Sequence, residues 1–134
     1  MPQPPRLRRS FFSRSVHKIA PDLIDYVNTH GTSTPLGDIG EVKAIQRCLG
    51  RRVAYSSTKA YTGHTVSAAG SIEAIFTMAM LRESWIAPAL HAEPLDPELA
   101  DYPPTLQATN TKLRYAMSNS FGFGGTNVTL VIST

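Results

Sequence analysis

Cysteine is nearly missing from this 134-residue sequence, which holds only Cys48. An internal disulfide is therefore excluded, and the composition fits a reducing compartment. No stretch approaches the roughly 18 consecutive apolar residues of a membrane span. The zinc pattern of two histidines four apart with a glutamate does not occur, and no Cys/His cluster points to a metal. Acids are absent from residues 1–21, which carry Arg6, Arg8, Arg9, Arg14 and Lys18. The formal charge of +3 arises there, because the remainder holds eight basic and ten acidic residues. Nowhere later do basic and aromatic residues interleave, which excludes a nucleic-acid surface of the usual kind.

What is present reads as one domain. Hydrophobic residues make up 42%, enough for a core at this length. Residues 1–20 are rich in Pro, Arg and Ser and read as a disordered tail. An organelle presequence is the alternative, since the segment is Arg-rich and acid-free. Residues 21–134 then form the folded unit. Leu23–Asn28 reads as a strand running into His30. Asp38 is the expected N-cap of a helix reaching about Leu49, with Glu41 completing a capping box and Gly50 ending it. Ile39, Val42, Ile45, Gln46 and Leu49 trace its apolar face. Val53–Tyr55 is a short strand. A second helix begins near Ser67 and is apolar almost all round, as a buried central helix would be. Five prolines between residues 84 and 110 mark a long irregular surface connection. Tyr115–Ser118 and Val128–Ile132 read as an antiparallel strand pair. The fold class is therefore α/β.

Chemistry concentrates in three polar, glycine-bearing loops. The first two carry His30 and His64, with Lys59 five residues before His64. Spacing alone leaves open whether the two imidazoles meet. Glu73 lies inside the apolar helix, where an unpaired carboxylate is costly. Lys59 is the nearest available cation, and a narrow solvent-facing stripe is the alternative. The third loop, Phe121-Gly122-Phe123-Gly124-Gly125, is a tight turn whose backbone N–H groups can receive a developing oxyanion. It has neither the strand-to-helix setting of a dinucleotide fingerprint nor the Gly-Lys-Ser/Thr ending of a phosphate loop. Cys48 falls near a helix C-terminus, where the dipole disfavours a thiolate. His17 and His91 read as surface residues.

Taken together, NTHGTSTPLGD, STKAYTGHTVSAAG, EAI, WIAPALH and MSNSFGFGGTN resemble the C-terminal portion of β-ketoacyl-acyl-carrier-protein synthases of the chain-elongating type. The resemblance covers roughly residues 21–133. It implies the C-terminal half of a thiolase-like fold, with a mixed sheet and a buried central helix. It implies an acyltransferase of fatty acid synthesis that joins malonyl units to an acyl-cysteine with loss of carbon dioxide. His30 and His64 match the two active-site histidines, and Lys59 and Glu73 the family's paired lysine and glutamate. Thr32 and Thr34 match residues contacting the pantetheine arm. Phe123 matches the gating phenylalanine, with Phe121 beside it, and Asp38 matches a structural acid. Acyl carrier protein is the implied partner, the family is homodimeric, and no cofactor is implied beyond the carrier's phosphopantetheine. A cytoplasmic location follows, or an organelle matrix if residues 1–20 act as a presequence. The family's nucleophilic cysteine lies in an N-terminal half that this sequence does not match, and Cys48 does not fit its motif. A polyketide ketosynthase piece, or a non-catalytic partner of a full synthase or carrier protein, is the alternative.

Overall fold

A computed structural model of the chain describes residues 19–134, and the basic segment at 1–18 lies outside the described residues. Ile19, the first described residue, packs against the core.

Four strands form the main sheet in the order β2-β1-β5-β6. They are β1 (Tyr26–Asn28), β2 (Ala54–Ser56), β5 (Tyr115–Phe121) and β6 (Asn127–Ser133). β1 runs parallel to both β2 and β5, while β6 returns antiparallel to β5. The expected strand from Leu23 is shorter, because Pro21–Leu23 turns as a 3-10 helix first. The second expected strand is shifted by one residue, to end at Ser56. The antiparallel pair is present and longer than expected.

Alternation along the strands assigns the two helices to opposite faces. Val27, Tyr55 and Met117 are register partners, and they pack with Val42, Ile45 and Leu49 of α1 (Gly37–Leu49). Tyr26 and Ala116 face the other way and pack with Met80 and Leu81 of α3 (Ala69–Glu83). A single helical turn, α2 (Lys59–Thr62), and a 3-10 turn (Val66–Ala68) lead into α3. The result is a helix–sheet–helix sandwich.

The apolar stripe of α1 runs as expected, and Gly50 ends it at a left-handed φ of 67°. The capping box does not form. Leu36 occupies the N-cap without a side-chain bond. Asp38 lies inside the first turn and accepts the Ser33 N–H at 3.1 Å. Glu41 turns inward and is buried. The expectation of a helix buried all round also changes. α3 covers β5 and β6, but Ile75 and Met78 are 59% and 51% exposed on its far side. Val128, Leu130 and Val131 of β6 are also exposed.

The connection at 84–110 is more ordered than its prolines suggest. β3 (Trp85–Ile86) and β4 (Thr109–Asn110) form a small antiparallel pair. Between them Tyr102 is buried against β2. Its hydroxyl accepts the Val53 N–H at 2.7 Å and donates to the Val53 carbonyl at 2.5 Å. Tyr55 donates to the Tyr102 carbonyl at 2.7 Å, and the Thr105 N–H donates to the Tyr55 carbonyl at 2.8 Å. The segment thereby covers an edge strand whose backbone groups would otherwise be unpaired. Tyr102→Phe strands both Val53 groups in a buried setting, which costs about 1–3 kcal/mol. A urea titration should show a lower midpoint with an unchanged slope, and an unmoved midpoint would remove Tyr102 from this role.

Candidate active site

β1, β2 and β5 are parallel, so their C-terminal ends lie at one edge of the sheet, where open α/β sheets place their sites. β1 delivers His30, β2 delivers Ser57 and Lys59, and β5 delivers Phe121.

Gly31 makes the first loop possible. Its φ is +37°, and a Cβ there would meet the Ser57 Cβ at 2.7 Å. Ser57 Oγ donates to the Gly31 carbonyl at 3.0 Å, which closes the β1 and β2 loops on each other. From below, Glu41 holds the turn. One carboxylate oxygen accepts the His30 N–H at 2.9 Å and the other accepts the Gly31 N–H at 3.0 Å. Asn119 Nδ2 adds a third donor at 2.9 Å, tying in β5. Burial raises the Glu41 carboxyl pKa against the pull of these donors. Sequence reasoning took Glu41 for a capping residue. The signal it offered was its place on the buried 41–45–49 stripe of α1.

The two histidines come together. Their rings meet edge to face with centroids 5.6 Å apart, and Phe121 packs on His30 at 5.4 Å. Each Nδ1 is engaged. The Val66 N–H, which can only donate, reaches His64 Nδ1 at 3.1 Å. Val66 adopts a φ of 52°, a left-handed conformation that is strained for a β-branched residue. Lys59 Nζ lies 3.4 Å from His30 Nδ1. A lysine ammonium also only donates, so both imidazoles carry their proton on Nε2. Burial first, then the charges of Lys59 and His64, lowers the His30 pKa from 6.5 to about 4. His30 is therefore neutral at pH 7.

Lys59 and Glu73 form an ion pair that is 6% and 4% exposed at the side chains. The reading of Glu73 as the partner of Lys59 holds, and the solvent-stripe alternative does not. Glu73 Oε2 and Ser118 Oγ are the buried side-chain atoms without a hydrogen-bond partner among the described residues.

A cleft of about 620 Å³ opens on one side of these groups. Thr32, Thr34, Asp38, Lys59 and His64 line it, facing Leu90, His91 and Leu99 of the 84–110 connection. His91 is exposed as expected, yet it stands at this cleft. Phe123 is fully exposed in the glycine turn and packs on neither histidine, unlike Phe121. Cys48 lies in the last turn of α1, where burial raises its thiol pKa, the reverse of what a nucleophile needs. Among the described residues no group of three His, Cys, Asp or Glu side chains is arranged to hold a metal, and no helix is long and apolar enough to cross a membrane.

The sequence and the fold have counterparts in known proteins. A family model described as the β-ketoacyl synthase C-terminal domain matches residues 14–93. The chain is 50% identical over 110 residues to 3-oxoacyl-acyl-carrier-protein synthase 1 of Escherichia coli K12, covering 81% of this chain and 27% of that protein. It is 49% identical over 117 residues to 3-oxoacyl-acyl-carrier-protein synthase 2 of Staphylococcus aureus, covering 84% and 29% respectively. Among solved structures, a β-ketoacyl synthase from Burkholderia phymatum superposes with a TM-score of 0.81 at 41% identity, over 87% of this chain and 29% of that one. A ketosynthase solved in complex with its type II polyketide acyl carrier protein gives 0.81 at 28% identity, over 87% and 29%. The chain thus spans less than a third of the length of the curated relatives it matches. The family model matches more than half of the chain, the curated relatives are about half identical to it, and its fold superposes on the ketosynthases, so the chain belongs to the β-ketoacyl synthase family.

Proposed function

We propose that this chain supplies the two-histidine side of a decarboxylative condensation, in which a malonyl thioester on acyl carrier protein extends an acyl group held on a cysteine. The observation that carries this reading is the pair of imidazoles in edge-to-face contact, each with Nδ1 turned to an N–H donor and so presenting Nε2–H. When the malonyl carboxylate leaves as carbon dioxide, the bonding electrons pass to the thioester oxygen. Two preorganised donors stabilise that developing enolate oxygen without reorganising. The neutral His30 suits the task, because as a hydrogen-bond donor it does not have to give up its proton. The enolate carbon then attacks the acyl-cysteine, and the thiolate departs. Cys48 is unsuited to be that cysteine, so the nucleophile belongs to a portion of the synthase outside these 134 residues. Thr32 and Thr34, on the cleft wall, receive the pantetheine arm. Phe121 packs on His30 and holds its ring in place, and Phe123, free of contact with the histidines, gates access. The carrier protein brings its own phosphopantetheine, and no further cofactor is needed. Fatty acid synthesis is favoured over polyketide assembly, since identity is about half with the 3-oxoacyl synthases and 28% with the type II polyketide ketosynthase.

The direct test combines the chain with the cysteine-bearing portion of a related synthase and follows carbon dioxide release from malonyl carrier protein. The combination should release it, and His64→Ala should cut the rate by about 100-fold or more while the chain stays folded. Equal release from the variant would contradict the assigned role.

The His30 environment also sets a pH signature. The folded imidazole takes a proton only near pH 4, whereas the unfolded one does so near 6.5. The stability it contributes is complete above about 6.5 and drains away as pH falls to about 4. His30→Gln should therefore gain on the parent chain across that window in denaturant titrations at successive pH values. Parallel pH profiles would show that His30 titrates as an ordinary surface histidine.

A further inference from the structure

We infer that Asn28 is the positioning residue that sets Lys59 and Glu73 in register with His30. Asn28 is fully buried at the C-terminal end of β1, two residues before His30. Strand alternation turns its side chain toward α3, on the same face as Tyr26. There it meets the other two segments that build the site.

The amide orientation follows from its neighbours. The Thr58 N–H can only donate, and it reaches Asn28 Oδ1 at 3.3 Å. The Glu73 carbonyl can only accept, and it lies 3.3 Å from Asn28 Nδ2. These two contacts admit one amide orientation and exclude the flipped one. The same nitrogen lies 3.1 Å from Thr58 Oγ1 and 3.2 Å from Thr77 Oγ1. Thr77 spends its own hydroxyl proton on the Glu73 carbonyl at 2.7 Å, leaving a lone pair for Asn28.

One amide thus joins β1, the residue preceding Lys59, and the backbone of Glu73 itself. The chemistry selects asparagine. Aspartate would set an acceptor against the Glu73 carbonyl, leucine would leave the Thr58 N–H unpaired, and serine is too short to span both. In a buried site each unmade bond is expensive. The sequence carries Asn28 as the last residue of a strand and the first of the NTHGTSTPLGD motif, with no role assigned to it there.

The consequence reaches His30 through Lys59. The ammonium stays beside His30 Nδ1 only while Thr58 and Glu73 hold it there. Loosening that arrangement frees Nδ1 to take the proton. The inference relies on the condensation reading only for the use made of the Nε2–H tautomer. The tautomer itself is measurable whether or not any condensation occurs.

The experiment is nitrogen-15 NMR of the histidine-labelled full chain at pH 7, with His91 as internal control. In the parent chain His30 should show a bare Nδ1 and a protonated Nε2. In Asn28→Leu the His30 signals should move toward a mixture of tautomers. Its protonation midpoint should rise by one pH unit or more, a tenfold gain in proton affinity, while His91 stays fixed. If Asn28→Leu lowers thermal stability yet leaves the His30 tautomer and midpoint in place, Asn28 is only a core residue and the inference fails. If that variant does not fold, Thr58→Val decides. It keeps the shape and removes one partner, and it should shift His30 in the same direction by a smaller amount. A folded Thr58→Val chain with parental His30 signals overturns the inference.

Discussion

Everything at the strand edge hangs on one buried ion pair. Lys59 and Glu73 have been taken almost wholly out of water. Two isolated charges in such a place would each cost several kcal/mol, recovered only by close mutual contact. The pair therefore ties α2 to α3 through a contact that neither charge can give up cheaply. Because Lys59 also faces His30 Nδ1, the same contact settles where the imidazole proton sits. An apolar replacement of similar volume could hold the two helices together, but it could not set that tautomer.

The second carboxylate works from the opposite face of the sheet. Glu41 gathers the N–H groups of His30 and Gly31 and the amide of Asn119. It acts on the backbone of the loop, whereas Glu73 acts through a side chain. Between them His30 is gripped from both faces of β1. The strained backbone at Val66 performs the matching service for His64. Strain of this kind persists where the surroundings over-determine the conformation, and here it falls at the residue whose N–H aims a histidine.

Much of this was legible in the residues. The 42–45–49 stripe names the buried face of α1, and Gly50 marks its end because no other residue takes a left-handed φ so readily. Glu73, a charge set within an apolar run before the helix exit, announces a partner, since burial forbids leaving it alone. Other features were hidden for physical reasons. An acid followed three residues later by Glu matches a capping box, and local pattern cannot reveal that both carboxylates instead take backbone N–H groups of the preceding loop, Asp38 at the surface and Glu41 in the interior. Strands of two residues, as in β3 and β4, carry no period to read. The apolar girth of α3 predicts burial on every side, but periodicity counts apolar residues and not the surfaces that cover them. Ile75 and Met78 stand open, in a chain spanning under a third of its relatives' length.

The account rests on the claim that Lys59 and Glu73 act as one unit. A double-mutant cycle on the stability of the chain measures this directly, using Lys59→Met, Glu73→Leu and the two together. Each single change leaves a buried charge unpaired and should cost about 3–5 kcal/mol, whereas the double change leaves none. The double variant should then be at least as stable as either single one, and it should still fold if the singles do not. Losses that simply add would contradict the claim, because they would mean that each residue stabilises the fold without the other.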